Sequence, residues 1–430
     1  MSKALRTWFL FFLVAVLILG TGVLQSWNLA LLILNMGLIS AVMALGVNLQ
    51  WGIAGLFNVG IMGFVALGGL AVVLTSAAPV PEAWAAGGVR AWGALGFGAL
   101  LVSGSVLMWK RMRRVWVLIA MLSAGFFLYR AWRDPAVSAI EAIDPAATGY
   151  LGGLGLPVLL AWPMGGVLAA GAAWIIGKTA LGLRSDYLAI ATLGISEIVI
   201  AILKNEEWLS RGVKNVNGLP RPVPYEVDLQ ASPAFVERAA GFGLDPTTAS
   251  TLTVKLGYSL LFASVLIVLL VLAQLALNSP WGRMMRAIRD NEVAARAMGK
   301  DVTFRHLQIF VLGSAICGIA GAMMTTLDGQ LTPSSYQPLR YTFLIWVMVI
   351  VGGSGNNLGA VLGGFVIWFL WVQVEPLGTG LMGLITWGMT DGSVLKEHLL
   401  GSVQHMRLLT MGIVLLLVLR FAPRGLLPER

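Results

Sequence analysis

Long apolar runs, each near the ~20 residues that cross about 30 Å of hydrocarbon, recur near residues 8–24, 28–49, 54–76, 91–109, 115–131, 155–177, 186–203, 254–277, 306–327, 341–352, 357–373 and 405–421. Most are apolar on every side, which is the pattern of membrane-embedded helices and not of surface helices. They predict an all-α polytopic membrane bundle of about 10–12 transmembrane segments. The run at 341–352 is short for a span. Two glycine-dense regions, 51–69 and 351–364, predict broken helices. Unwound backbone lining a polar pathway and close packing through small residues such as Gly359 and Gly363 both fit this composition.

The segment 278–299 departs from this pattern, being charged and amphipathic. Its spacing predicts a helix of about 19 residues from Pro280 to Met298, with Ser279 capping its first amides and Gly299 ending it in the left-handed conformation. Trp281, Met284, Met285, Ile288, Ala295 and Met298 fall near one stripe, and Arg283, Arg286, Arg289, Asp290 and Arg296 lie largely elsewhere. Such a helix lies in a groove of a soluble partner or rests on anionic lipid. The chain divides into N-terminal helices at 1–76, a helical hairpin with loops at 77–154, and a core at 155–430. That core contains two polar outer stretches, 204–253 and 376–403, the latter with Trp387, Asp391, Lys396, Glu397 and His398.

Composition settles the class. Of 430 residues, 58% are hydrophobic and 11% charged, against about 25% charged in soluble domains. When sides alternate from an inner N-terminus, basic residues gather on one side: Lys3 and Arg6, Lys110 to Arg114, Lys178 and Arg184, Arg283 to Arg305, and Arg420, Arg424 and Arg430. Both termini are therefore expected in the cytoplasm. The net charge of +9 is a topology signal toward membrane lipid, and no nucleic-acid partner is expected. Cys317, the single cysteine, lies in an apolar run and is expected to serve packing. The first run is read as a retained helix, because no small-x-small cleavage site follows it.

Gly171 to Thr179 superficially resembles a phosphate loop, but five residues separate its glycines and no strand precedes it. Lys178 is better read as a surface anchor, so ATP, if it drives this protein, is hydrolysed on another chain. The histidines at 306, 398 and 405 are too scattered for a metal site, and no nucleophile elbow is present. A membrane enzyme thus ranks low. Glu197 is the clearly intramembrane ionisable group, and its cost in hydrocarbon places it toward the bundle or water, in a structural hydrogen-bonding role or on a transport path. A self-contained ion-coupled secondary transporter stays open as an alternative. It needs such acids at depth and gives the 280–298 helix no task.

Leu181-Gly-Leu-Arg-Ser-Asp-Tyr-Leu-Ala-Ile190 leading to Gly194-Ile-Ser-Glu-Ile198 resembles the signature of M-type permease subunits of bacterial ABC importers for branched-chain amino acids, with Ser185 where a glycine is common. Arg286 to Gly299, Val351 to Gly359, Pro423-Arg-Gly-Leu426 and Asn58 to Gly63 match further family patterns in order. The 77–154 and 376–403 additions, and the loose match at 212–219, depart from them.

The resemblance implies a translocation subunit that is itself no enzyme and binds no cofactor. It would be paired with a second, related permease, two cytoplasmic ATPases carrying ATP and Mg²⁺, and a periplasmic solute-binding protein, all at the inner membrane. It makes 280–299 a coupling helix with Arg286, Arg289, Glu292, Ala295 and Gly299 at its contact and turn. Asn58, Gly60, Gly63, Thr192, Glu197, Gly355 and Asn356 are the candidates for the translocation path. Branched-chain amino acids are the implied solutes, with urea and short amides served by related permeases.

Overall fold

A computed structural model describes residues 3–390 and 393–429; Asp391 and Arg430 lie outside the described residues. Ser26 opens the central helix, its Oγ accepting from the Asn28 amide at 3.2 Å, as an N-cap serine does. Fourteen of the helices among the described residues set the architecture. They are α1 (Lys3–Leu24), α2 (Trp27–Val47, extended by a π-helical turn Asn48–Ile53), α3 (Ile61–Ser76), α4 (Val89–Met112), α5 (Val115–Glu141), α6 (Val158–Ala180) and α7 (Ser185–Asn205). The second half contributes α8 (Pro246–Asn278), α9 (Pro280–Asp290), α10 (Glu292–Ala297), α11 (Val302–Asp328), α12 (Pro338–Gly352), α13 (Asn357–Ile385) and α14 (Met406–Phe421).

Among the described residues, nine helices are long and apolar enough to cross a membrane, and a bent pair, Val394–Gly401 with α14, makes a tenth candidate. The two remaining apolar runs form α3 and α12, of 16 and 15 residues. At 1.5 Å per residue each is some 24 Å long, so neither spans the hydrocarbon unaided. The 376–403 stretch is less of an excursion than its polarity suggests, since α13 continues helical through Pro376 to Ile385.

The core is built on α2, α3 and α11, with α6, α12, α13 and α8 packed around them. Lipid tails are as apolar as leucine, so helices in a bilayer gain most by letting backbones approach closely. Glycines do that here. A Cβ on Gly321 would lie 1.9 Å from the Val65 carbonyl oxygen, and one on Gly68 would lie 1.9 Å from that of Gly318. Gly165 meets the same Gly318 from α6, so three helices share one close crossing. Cys317, beside it, is buried and packs against α2.

The second glycine-dense region does two jobs. Gly352 abuts Gly359 and Gly363 abuts Met348, so α12 and α13 run antiparallel and touching, while Gly353–Asn356 forms the turn between them. The first region breaks the chain differently, through the π-helical turn and then the non-helical stretch 54–60 before α3.

The α4–α5 hairpin is peripheral. Its two helices pair chiefly with each other, turning at Arg113, which adopts φ 48° beside Arg114. It joins the rest at the far end through an Arg133–Glu206 ion pair, a Trp208 amide donating to Glu141, and Arg211 donating to the Ala146 carbonyl. There Pro79 pairs in a β-bridge with Gly152. At the same end Val216–Asn217 pairs antiparallel with Gln330–Leu331, tying the 204–245 loop to the end of α11.

The 280–298 segment corrects the expectation of one continuous helix. It breaks at Asn291, whose backbone is extended (φ −156°, ψ 95°) and whose Oδ1 caps α10 by accepting from the Ala294 amide at 2.9 Å. An asparagine side chain competes with the helix for its own backbone, which is why it starts helices more readily than it continues them. Ser279 does not cap α9: its hydroxyl donates backward to the Ala276 carbonyl at 2.6 Å. Gly299 ends α10 at φ 76°, as the sequence predicts.

Candidate functional site

Two polar amides on α2 create the site. Asn48 and Gln50 sit fully buried in the π-helical turn, where the widened backbone leaves groups to satisfy. Gln50 donates to the Phe310 carbonyl at 2.8 Å and to Ser314 Oγ at 2.9 Å on α11, and accepts from Asn58 Nδ2 at 2.9 Å. Asn58 Oδ1 then accepts from the Gly60 amide at 2.9 Å, and its carbonyl accepts from the Trp346 indole at 3.2 Å. Thr192 Oγ1 on α7 accepts from the Val59 amide at 3.1 Å. The freed backbone of 54–60 is thereby satisfied within protein, the condition for irregular chain at membrane depth.

A second branch reaches the α12–α13 turn. Asn48 donates to Asn357 Oδ1 at 3.0 Å and accepts from the Gly355 amide at 2.8 Å. Gly355 holds φ 82°, a conformation glycine adopts without strain. Asn356 donates to the Leu427 and Pro428 carbonyls, and Leu426 and Leu427 donate to Val351 and Gly352. The 423–429 tail is thus laid into the turn.

The amphipathic element connects to both branches through one side chain. Arg289 on α9 donates to the Gly52 carbonyl at 2.5 Å and pairs with Glu429 at 3.0 Å and Asp290 at 3.2 Å. Burial works against its charge, but Glu429 and Asp290 outweigh that and raise its pKa further above the ordinary arginine value. Arg286, half-buried, donates to the Leu277 carbonyl at 3.4 Å. Glu292 pairs with Arg296 at 2.6 Å along α10, and Ala295 is half-buried. Val293, Met298 and Gly299 stand exposed, Val293 and Met298 by 79% and 80%. The element therefore has an inward half, α9, and an exposed tip, α10.

The structure brings together Asn58, Gly60, Gly63 and Thr192: a Cβ on Gly60 would strike the Thr192 carbonyl, and one on Gly63 the Ser196 backbone. The space beside them, lined by Gly60, Gly63, Thr192 and Ser196, is about 10 Å³, at the limit for one water. Gly355 and Asn356 lie on the second branch, where Asn48 meets the Gly355 amide and Asn356 holds the tail. Glu197 stays apart, exposed on the outward face of α7 with Ile190, Ile198 and Ile202.

Sequence reasoning missed Asn48, Gln50, Asn357 and Glu429. The first two were findable, as polar amides at the end of the largely apolar run 28–49 and just beyond it that, like Asn35, needed partners in hydrocarbon. Nothing local marks Glu429, whose partner lies far off along the chain. An Asn58→Leu variant tests the network. It leaves Gln50 Oε1 and the Gly60 amide unpaired at about 1–3 kcal/mol each, and the thermal midpoint in detergent is expected to fall by several degrees. An unchanged midpoint would remove the network from the fold's supports.

An all-α bundle with satisfied broken backbone in its core, joined by an arginine to an amphipathic element at one end, defines a polytopic membrane protein of the permease class. The profile of the family described as the permease component of branched-chain amino acid transport systems matches residues 29–419, and the chain belongs to that family. It is 27% identical over 297 residues to the high-affinity branched-chain amino acid transport system permease protein LivM of Salmonella typhimurium, covering 67% of this chain and 61% of the relative. To the Escherichia coli protein of the same name it is 27% identical over 300 residues, again with 67% and 61% covered. A probable LivM of Methanocaldococcus jannaschii is 26% identical over 330 residues, 76% of this chain and 83% of the relative. The chain thus spans less than two thirds of the two bacterial relatives' length. No solved structure matches significantly.

Proposed function

We propose that the protein is the translocation subunit of an ATP-driven importer for branched-chain or related small amino acids in the bacterial inner membrane. A second, related permease, two cytoplasmic ATP-binding subunits and an external solute-binding protein complete the assembly. ATP and Mg²⁺ belong to the ATP-binding subunits. The observation that carries the reading is Arg289, which ties the amphipathic element to α2 at Gly52 and to the α12–α13 turn through Glu429. The exposed α10 tip docks on the ATPase. When nucleotide closes the ATPase pair, the displaced element carries the inner ends of α2 and α12–α13 with it, shifting the bundle between inward-open and outward-open states. Both termini then face the cytoplasm, on the side of the basic α4–α5 turn and of Lys178, which lies over the Trp174 ring at 3.9 Å.

Glu197 supports the pairing. It sits eight residues before the end of α7, about 12 Å along the helix axis, on an exposed face. A carboxylate turned to hydrocarbon costs about 2.5–3.5 kcal/mol or more, so this face is assigned to the second permease and the aqueous path between the two. The closed space at Thr192 agrees with a path that runs between subunits.

The test is purification from the native membrane in mild detergent, with mass spectrometry of what accompanies the chain, repeated on Gly299→Arg. Gly299 has open space around it but holds φ 76°, so arginine there both strains the end of α10 and puts a bulky charge at the docking tip, away from the packed core. An ATP-binding subunit present with the parent and lost with the variant is expected. A parent that retains no ATPase, under conditions that keep other membrane complexes whole, would overturn the reading.

A further inference from the structure

A cleft of about 760 Å³ opens between the N-terminal end of α1 and the C-terminal end of α8, within the roughly 300–1,000 Å³ range of small-ligand pockets. Arg6 stands on its α1 side, Leu270, Val271 and Gln274 on its α8 side, and Arg286 closes it toward α9. Its floor is the start of α13, Asn356 to Leu358. We infer that this cleft seats the headgroup of an anionic phospholipid, its phosphate held by Arg6 and Arg286 against the N-terminus of α13.

Four observations carry the assignment. First, the charge is complementary: of the lining residues Arg6 and Arg286 are cationic, and the acidic one, Glu429, is already paired with Arg289 at 3.0 Å. The adjoining space of about 780 Å³ shares Arg286 and Glu429 and adds Arg283, Arg289 and Arg424, with Asp290 opposing them. Second, the N-terminal end of a 29-residue helix points positive potential at the floor. Third, Asn357 is 2% exposed and lines the cleft, yet its Nδ2 has no acceptor, a donor in want of an oxygen. Fourth, the walls belong to two spans with lipid-facing surfaces: Val271 on α8 and Phe9 on α1 are 51% and 54% exposed. A ligand with acyl chains enters such a cleft sideways from the bilayer, and basic pockets between spans on the cytoplasmic side suit acidic headgroups.

The consequence is specific to this element. Arg286 lies one helical turn from Arg289, so an occupied cleft would brace α9 on the face that carries Arg289.

The side of the membrane rests on the topology proposed above, but lipid retention is read on this chain whether or not an ATPase accompanies it. The protein, with whatever partners it keeps, is placed in micelles holding equal dioleoyl phosphatidylglycerol and dioleoyl phosphatidylcholine, and retained lipid is counted by native mass spectrometry. The parent is expected to prefer phosphatidylglycerol on the order of tenfold, the scale of two arginines near a headgroup. Arg6→Gln with Arg286→Gln should bring the two lipids to near equality. Arg111→Gln with Arg114→Gln, in the exposed α4–α5 turn, should keep the preference. Equal retention by the parent, or a preference that survives loss of Arg6 and Arg286, would overturn the site. So would displacement of the lipid by millimolar glycerol 3-phosphate, which would make it a free-phosphate site. A preference present on the isolated chain and absent from the assembled complex would overturn it too, by showing the cleft to be a subunit contact.

Discussion

A Gly321→Val chain is expected to yield no folded protein from detergent extracts, with the monodisperse peak of the parent replaced by aggregate. The added Cβ would sit 1.9 Å from the Val65 carbonyl oxygen. Backbone cannot swing aside as a side chain does, so α3 and α11 must separate along their whole crossing. Overpacking in a well-filled core costs about 1–3 kcal/mol when side chains can yield, and the cost here is larger because the obstacle is main chain. Separation also removes Gly68 from Gly318 and loosens Gly165, so the loss spreads to α6. Gly171→Val is the matched comparison, since its Cβ meets nothing within 4 Å, and it should purify like the parent. Equal behaviour of the two variants would mean that close glycine crossings do not hold this bundle together.

The second large effect is expected from Arg289→Ala. In a reconstituted complex it should lower amino-acid uptake at least about tenfold while the ATPase subunit stays attached, because the docking tip on α10 is untouched. Truncation removes the contact to Gly52 and the pair with Glu429 together, so motion of the element no longer reaches α2 or the tail. It also leaves Glu429 without its cation, at a cost of some 1–3 kcal/mol for a half-buried group. Glu429→Gln keeps the Gly52 contact and should reduce uptake only about two- to threefold. If uptake per ATP is the same in parent and Arg289→Ala, the arginine is a local brace and the transmission runs elsewhere.

Much of this is legible in the sequence alone. Continuous apolar runs identify spans with little ambiguity, because hydrocarbon forces every backbone group to be satisfied within its own helix. Each run found a helix, down to the short 341–352. Gly299 was legible too, since the left-handed end of a helix has few occupants. What the pattern could not show were choices settled by distant partners. Asn291 fits an amphipathic stripe as well as it fits a cap, and only the folded chain shows the cap. Arg289 reads as one basic residue among several on α9, yet its partners are Gly52 and Glu429. Glu197 was placed by cost alone, and the face it occupies depends on how α7 leans on α3.

The bridge between Pro79 and Gly152 gives the peripheral hairpin a distinctive standing. Because the chain has already returned to its starting point there, the core's connectivity is closed before α4 begins and resumes after α5 ends, like a ring from which a pendant hangs. The entropy of closing that ring barely depends on the length of the pendant. Lengthening or shortening the 81–141 segment near its Arg113 turn is therefore expected to leave α3 and α6 in place as long as the contacts of Arg133 and Glu141 to Glu206 and Trp208 are kept. The outer rim of this subunit is a place where new surface can be acquired without renegotiating the interior.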